Sequence, residues 1–336
     1  FLIESATPSW EHDYKLIKNV KNKYPNLKII VAGPISTSDE KWDSDIVYAV
    51  LKGEYEKNIM KVLEGKNGVL NHDLLTKDEM NSAPFPYYDK NIFDKYFDGN
   101  PIPMNILYPQ AHIWSSRGCP FKCIFCVWPA AMTGNDPHGD GKRSVRQYTP
   151  DYIESFIKEL TEKYKFKAIY FDDDTFNIGN RHTEKMSDVM SKFDIPWFAM
   201  CRADTSKKET WKKMADSGCK GVKIGVESGS QVVVDKIVNK HLDLKYVQEI
   251  VSHIRSLDMS VHGTFTYGLP GETKDDMIRT KQFIQETEFS TVQESGTAEI
   301  EGTPLHALIN EQKLMTYPGA IADDNYDRQK DGGKKW

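Results

Sequence analysis

At 336 residues and 38.5 kDa, with 39% apolar and 28% charged side chains, the chain has the balance of a globular protein of one to two domains, which excludes disorder, collagen-like repeats and low complexity. Its 44 basic and 49 acidic residues leave a net charge of −5, so there is no electrostatic case for a nucleic-acid partner, and no apolar run reaches the ~18 residues of a membrane span. Five cysteines, an odd number with three of them crowded together, do not look like a secreted disulfide framework.

Phe1-Leu-Ile opens as a strand. Leu16, Ile17, Val20 and Tyr24 then recur at helical spacing, with Lys15, Lys18, Lys21 and Lys23 mostly on the other face. Pro25 ends that helix, and residues 28–33 read as a strand closing on a Gly-Pro turn. Residues 45–50 read as another short strand before Gly53-Glu54. Strand, helix, strand, strand is half of a doubly wound parallel sheet. Such a sheet normally has about two or three more strands upstream, so residues 1–70, opening on Phe1 without a Met, are expected to be the C-terminal half of a truncated Rossmann-like domain. Residues 71–104, with Pro84, Pro86, Tyr87, Tyr88, Pro101 and Pro103, read as a linker whose aromatic content predicts that it packs on a neighbour.

Strands and helices alternate from there. Strands are predicted at 111–116, 167–171, 197–201, 221–226, 261–267 and 292–300. Helices are predicted at about 150–163, 182–193, 207–217, 231–256 (broken near His241) and 274–287. Thr149-Pro150 is a helix start with Pro at the first helical position, and Thr273-Lys-Asp-Asp276 resembles a capping box with Asp for Glu. The class is α/β: a partial (β/α)6 barrel over 105–310, with its chemistry at the C-terminal strand ends. Residues 311–336 are an extension, expected to be truncated.

Directly after the first barrel strand comes Arg117-Gly-Cys119-Pro-Phe-Lys-Cys123-Ile-Phe-Cys126, a C-x3-C-x2-C spacing. Three thiolates in so short a loop face one centre only if the loop wraps it, and Gly118 and Pro120 suit a tight wrap. Soft thiolates select zinc or an iron–sulfur cluster, and closed zinc sites want four ligands. Cys201 and Cys219 lie at other strands and read as buried apolar residues, as His112 and His262 read as barrel or pocket residues. A four-iron cluster on three thiolates keeps one iron open to an outside ligand.

This motif in this strand context resembles the radical S-adenosylmethionine (SAM) superfamily, and the resemblance covers about residues 105–310. It implies a [4Fe–4S] cluster on Cys119, Cys123 and Cys126, with SAM chelating the open iron and reductive cleavage giving a 5′-deoxyadenosyl radical. Phe125 is implied beside the adenine. Tyr170-Phe-Asp-Asp-Asp174-Thr-Phe176 occupies the place of the superfamily's Gly-Gly-Glu motif. Asp173 and Asp174 are thereby implied as acceptors for the SAM ammonium; their other reading is as helix-capping or loop residues. Cys201-Arg202-Ala-Asp204 implies Arg202 on the SAM carboxylate or ribose, against a surface ion pair. Lys223-Ile-Gly-Val-Glu227-Ser-Gly229 resembles the Gly-x-Glu-Ser segment, with Glu227 near the ribose hydroxyls or paired with Arg202. Tyr267-Gly268-Leu-Pro270-Gly-Glu272 resembles the loop whose backbone supports adenine, which brings in Gly268 and Pro270; Glu301-Gly-Thr-Pro-Leu305 resembles the end of the sixth strand.

Cys126-Val-Trp-Pro129 and Arg143-Ser-Val-Arg146 resemble the cobalamin-binding branch of the superfamily, and the N-terminal half sheet resembles part of its cobalamin domain. Ser5, Thr7 and Gly33 are then implied at the nucleotide-tail side of cobalamin. An Asp-x-His-x-x-Gly match at Asp136–Gly141 falls inside the cluster loop rather than after a first Rossmann strand and reads as coincidence. The implied activity is cobalamin-dependent methylation or ring formation at an unactivated carbon of a small-molecule substrate, with an electron donor such as flavodoxin or ferredoxin. Two other readings stay open: a cobalamin-independent enzyme abstracting hydrogen, with the Rossmann domain only structural, and a non-enzymatic Fe–S or zinc binding module.

Overall fold

The computed structural model describes residues 1–7, 9–38, 42–89, 91, 109–127 and 143–312. Pro101, Pro103, Trp128-Pro129, the Asp136–Gly141 match and residues 313–336 lie outside them. The chain divides into two units, one of residues 1–80, 120–144 and 298–315, the other of 81–119, 145–297 and 316–336.

The first unit holds a four-stranded parallel sheet in chain order: β1 (Leu2–Glu4), β2 (Ile30–Ala32), β3 (Ala49–Leu51) and β4 (Gly68–Leu70). Its two middle strands are wholly apolar and wholly buried, as parallel strands covered on both faces must be. Helix α1 (Trp10–Lys23) buries Ile17 among Ile29, Val31, Ile35, Val47 and Val50 on one face. Helix α2 (Glu56–Leu63) closes the other, with Val62 against Ile30, Ala32, Ala49, Leu51 and Leu70. The expected strand at 45–50 begins only at Ala49. A turn precedes it, in which the Asp43 carbonyl accepts from Ile46 and Val47 and its side chain from the Asp45 amide. Strand β4 is too short for a period-2 pattern to register in sequence. Helix α3 (Lys77–Ser82) follows it.

The second unit carries a six-stranded parallel sheet ordered β5 (Gln110–Ile113), β8 (Ala168–Phe171), β9 (Trp197–Cys201), β10 (Cys219–Glu227), β11 (Ser260–Tyr267) and β12 (Thr291–Gly296). Its intervening helices are α4 (Pro150–Glu162), α5 (Asn180–Met190), α6 (Lys208–Asp216), α7 (Leu244–Ser256) and α8 (Lys274–Glu286). This is the (β/α)6 arrangement left open, with β5 and β12 as edges. Local chemistry sets the helix starts. Thr149 caps α4 by accepting from the Tyr152 amide, and Thr273 and Asp276 make the reciprocal capping box of α8. The break expected near His241 is a π-turn at Val233–Ile237 followed by α7, which the Asp243 carboxylate caps. Between them Asn239 and His241 take left-handed backbone, φ 59° and 51°.

Phe85 stacks on Phe156 and meets Tyr152 edge-on, while Tyr88 meets Tyr164 and Phe166, so the described aromatics of the Pro-rich segment are packed. A two-stranded antiparallel ribbon, β6 (Ser116–Arg117) with β7 (Arg146–Gln147), joins the two ends of the cysteine-bearing excursion. Helix α9 (Pro304–Gln312) belongs to the first unit.

Candidate active site

The residues singled out in sequence stand at the C-terminal ends of β5, β8, β9, β10 and β11 and in the loop after β6. Phe176, fully buried, packs on Phe171 at 4.8 Å and on Trp197 at 5.5 Å, and its amide donates to the Met200 carbonyl. That anchor fixes the aspartates just before it. Asp173 is buried, and its carboxylate accepts from the Ser115 amide (3.0 Å), the Ser115 hydroxyl (2.9 Å) and the Ser116 hydroxyl (2.5 Å). His182 Nε2 stands 3.1 Å from the same Ser115 hydroxyl. Asp173 therefore clasps the root of the cysteine loop. Asp174 accepts from the Gly118 amide at 3.0 Å, and Gly118 has φ +91°, a backbone suited to glycine. Burial pushes both acids up to about 6 against the hydrogen bonds they accept.

Cys119, Cys123 and Cys126 are half-buried and form no disulfide. Cys119 Sγ lies 3.6 Å from Thr175 Oγ1, whose hydroxyl donates to the Asp174 carbonyl. Cys123 and Cys126 flank a turn closed by the Cys126 amide on the Cys123 carbonyl, with Phe125 inside it. The Ile124 carbonyl in that turn accepts from the Leu305 amide at the start of α9, just after Glu301-Gly-Thr-Pro. Among the described residues, no group of three or more His, Cys, Asp or Glu side chains stands as a metal site. The donor set itself, three half-buried thiols of one loop outside any disulfide, suits a cluster that binds through three sulfurs. Cys201 and Cys219 do not: both are buried, and burial pushes the Cys219 thiol up to about 12 and that of Cys201 well above its usual range.

Arg202 is buried, with its guanidinium on both Asp204 oxygens and on the Lys240 carbonyl. Buried Asn177 bonds both the amide and the carbonyl of Arg202, tying the end of β8 to that of β9. Glu227, at φ +76° where the β10–β11 register slips, pairs with Lys240 (2.8 Å) and accepts from Thr266 (3.2 Å). Glu227 is thus met by Lys240, and Arg202 by Asp204 two residues along. Gly268 and Pro270 are buried, and the Gly268 amide donates to Glu272 Oε2 at 2.6 Å. Glu272 Oε1 is buried with no partner, and burial raises its pKa.

In the first unit, Ser5 is buried and donates to Asp13 (2.6 Å), while Thr7 is exposed. Gly33 has φ +87°, and a Cβ there would stand 2.7 Å from the Ser5 carbonyl and Glu4 Cγ, so only glycine lets β2 end so close to β1. Just beyond, Ser36 Oγ is buried without a partner at the C-terminal end of the sheet, where open α/β sheets bind ligands. Sequence reasoning missed Lys240, Asn177 and Ser36. Only the hydroxyl run Ser36-Thr37-Ser38 after Gly33-Pro34 carried a signal.

A family profile described as the radical SAM superfamily matches residues 115–284, which is half of the chain. The chain belongs to the radical SAM superfamily. Superfamily membership brings a [4Fe–4S] cluster and SAM as cofactors, and the chain is an enzyme. An uncharacterized methyltransferase of Pyrococcus horikoshii is 26% identical over 91% of this chain and 69% of its own length. Cytidylyl-2-hydroxyethylphosphonate methyltransferase of Streptomyces wedmorensis is 26% identical over 68% of this chain and 43% of its own. Among solved structures, the radical SAM methyltransferase TsrM of Kitasatospora setae shares the fold at TM-score 0.69 and 15% identity, covering 90% of this chain and 61% of that one. This chain thus spans less than two thirds of the latter two proteins. No helix among the described residues is long and apolar enough to cross a membrane.

Proposed function

We propose that this chain is the catalytic part of a cobalamin-dependent radical SAM methyltransferase acting on an unactivated carbon of a small molecule. Residues 105–310 serve as the radical SAM core and 1–70 as half of the cobalamin domain. The observation that carries the reading is the C-x3-C-x2-C loop, outside any disulfide, whose root after β5 is held by Asp173 from the end of β8. The names of relatives support methylation, and TsrM, solved with cobalamin and a [4Fe–4S] cluster bound, supports the cofactor set.

When bound, the cluster and cobalamin supply one-electron and methyl-transfer chemistry. The chain's own residues hold and orient. Cys119, Cys123 and Cys126 are the cluster ligands. Phe125, and the backbone of Gly268–Pro270, are the residues that would serve adenine. Asp174 accepts from the SAM ammonium, Arg202 and Glu227 serve its carboxylate and ribose, and Asp173 acts through the loop it clasps. Around cobalamin, the fit rests on Ser36: a buried hydroxyl without a partner, next to Gly33 and the Ser5–Thr7 turn, is what a polar nucleotide tail satisfies. An electron donor of the flavodoxin or ferredoxin type and a reducing cytoplasm follow from a cluster with an open iron.

The test is anaerobic reconstitution with iron, sulfide and hydroxocobalamin, followed by SAM and reductant. The expected result is four irons, a cobalamin spectrum, 5′-deoxyadenosine, and loss of cluster and cleavage in Cys123→Ala. Cleavage by a protein that retains no cobalamin would favour the hydrogen-abstracting alternative, and zinc without iron would leave only a binding module.

A further inference from the structure

Lys240 sits in a segment of irregular backbone. A π-turn at Val233–Ile237 precedes it, and its two neighbours, Asn239 and His241, both have positive φ without being glycine. Such backbone costs free energy and persists only where the surroundings hold it, and π-turns and left-handed residues concentrate at functional sites. Beside the buried Val238 and Leu242, the segment delivers a charged side chain inward: Lys240 is 9% exposed, an unusual place for a lysine. Its ammonium lies 2.8 Å from Glu227 Oε1, and its carbonyl accepts from the Arg202 guanidinium. One residue therefore grips the side chains that end β9 and β10 at once. The sheet makes room for the pair: a Cβ on Gly225 would stand 2.5 Å from Glu227 Oε1 and 2.9 Å from Lys240 Nζ. Glu227 is itself held at positive φ by the register slip.

We propose that Lys240 is a positioning residue of the SAM pocket, fixing Glu227 by its ammonium and Arg202 by its main-chain carbonyl so that both meet SAM in one preset geometry. This rests on the radical SAM reading, since Glu227 and Arg202 are its ribose and carboxylate contacts. The ion pair alone would be a poor device for stability, because two buried charges roughly cancel what their attraction returns. Preset geometry is the benefit that remains, because side chains already ordered need not be ordered on binding.

The experiment uses the reconstituted full chain and its K240M, E227Q and E227Q/K240M variants. Iron content, melting temperature and SAM affinity by equilibrium dialysis are measured on the same preparations. K240M is expected to melt lower, because it leaves Glu227 buried and unpaired, and to bind SAM ten-fold or more weakly at unchanged iron per protein. E227Q/K240M removes the stranded charge and is expected to recover the melting temperature while SAM binding stays weak. If affinity returned together with the melting temperature, or if K240M bound SAM like the wild type, Lys240 would have no positioning role. Wild-type protein that holds four irons yet binds no SAM would instead overturn the functional reading beneath it.

Discussion

His262 should make stability fall in acid, and the amount can be worked out. The ring is fully buried in β11, with Nδ1 2.8 Å from Thr291 Oγ1 and Nε2 without a partner. Burial, and then the charge of nearby Lys223, pull its pKa from 6.5 down to about 4, with Gln293 opposing them. A depressed histidine is held neutral in the fold. Its contribution is complete above the unfolded pKa of 6.5 and is lost as pH falls toward the folded value. Linkage then gives a loss of about 2 kcal/mol by pH 5 and about 3 kcal/mol by pH 4, from 1.36 kcal/mol per pKa unit. Other groups titrate in the same window, so the informative quantity is a difference. His262→Asn keeps a polar atom near Nδ1 but cannot charge. Urea unfolding of wild type and H262N between pH 7.5 and 4 should show the variant destabilised at neutral pH yet losing about 3 kcal/mol less across the range. Parallel curves would refute the reasoning, as would an imidazole that titrates near 6.5 by NMR.

The remaining predictions concern the candidate site and the N-terminal sheet. Asp173→Ala strands the Ser115 amide and the Ser116 hydroxyl, each unsatisfied donor costing about 1–3 kcal/mol; melting temperature and reconstituted iron should drop together. Asp174→Ala removes one bond to Gly118 and the proposed acceptor of the SAM ammonium. It should keep its iron while SAM affinity falls about ten-fold, and unchanged affinity would remove Asp174 from the site. Gly33→Ala forces a Cβ to 2.7 Å from the Ser5 carbonyl at φ +87° and should destabilise the first unit by at least about 1–2 kcal/mol. Cobalamin retention after gel filtration should fall with it, whereas wild-type melting and retention would show that the turn yields freely.

How far each part was legible follows from the range of the forces involved. The alternation of helical and strand periods, the Thr149 and Thr273 caps, and the cysteine spacing are local patterns, written within a few residues of one another, and they sufficed for a partial (β/α)6 arrangement and a radical SAM assignment. Trp197–Cys201 was readable to the residue because its strand is apolar throughout and bounded by Pro196 and a charge. Strand β4 and the β6–β7 ribbon were not, since two or three residues hold no period and form only because a partner strand is already there. The same holds at the site. That Asp173 turns back to Ser115 and Ser116, that Glu227 is met by Lys240, and that Ser36 is left without a partner depend on contacts between residues far apart in the chain. Side-chain type decides what chemistry a residue can do; which charge it meets is decided by strand register, a π-turn and two left-handed residues that only the folded chain sets.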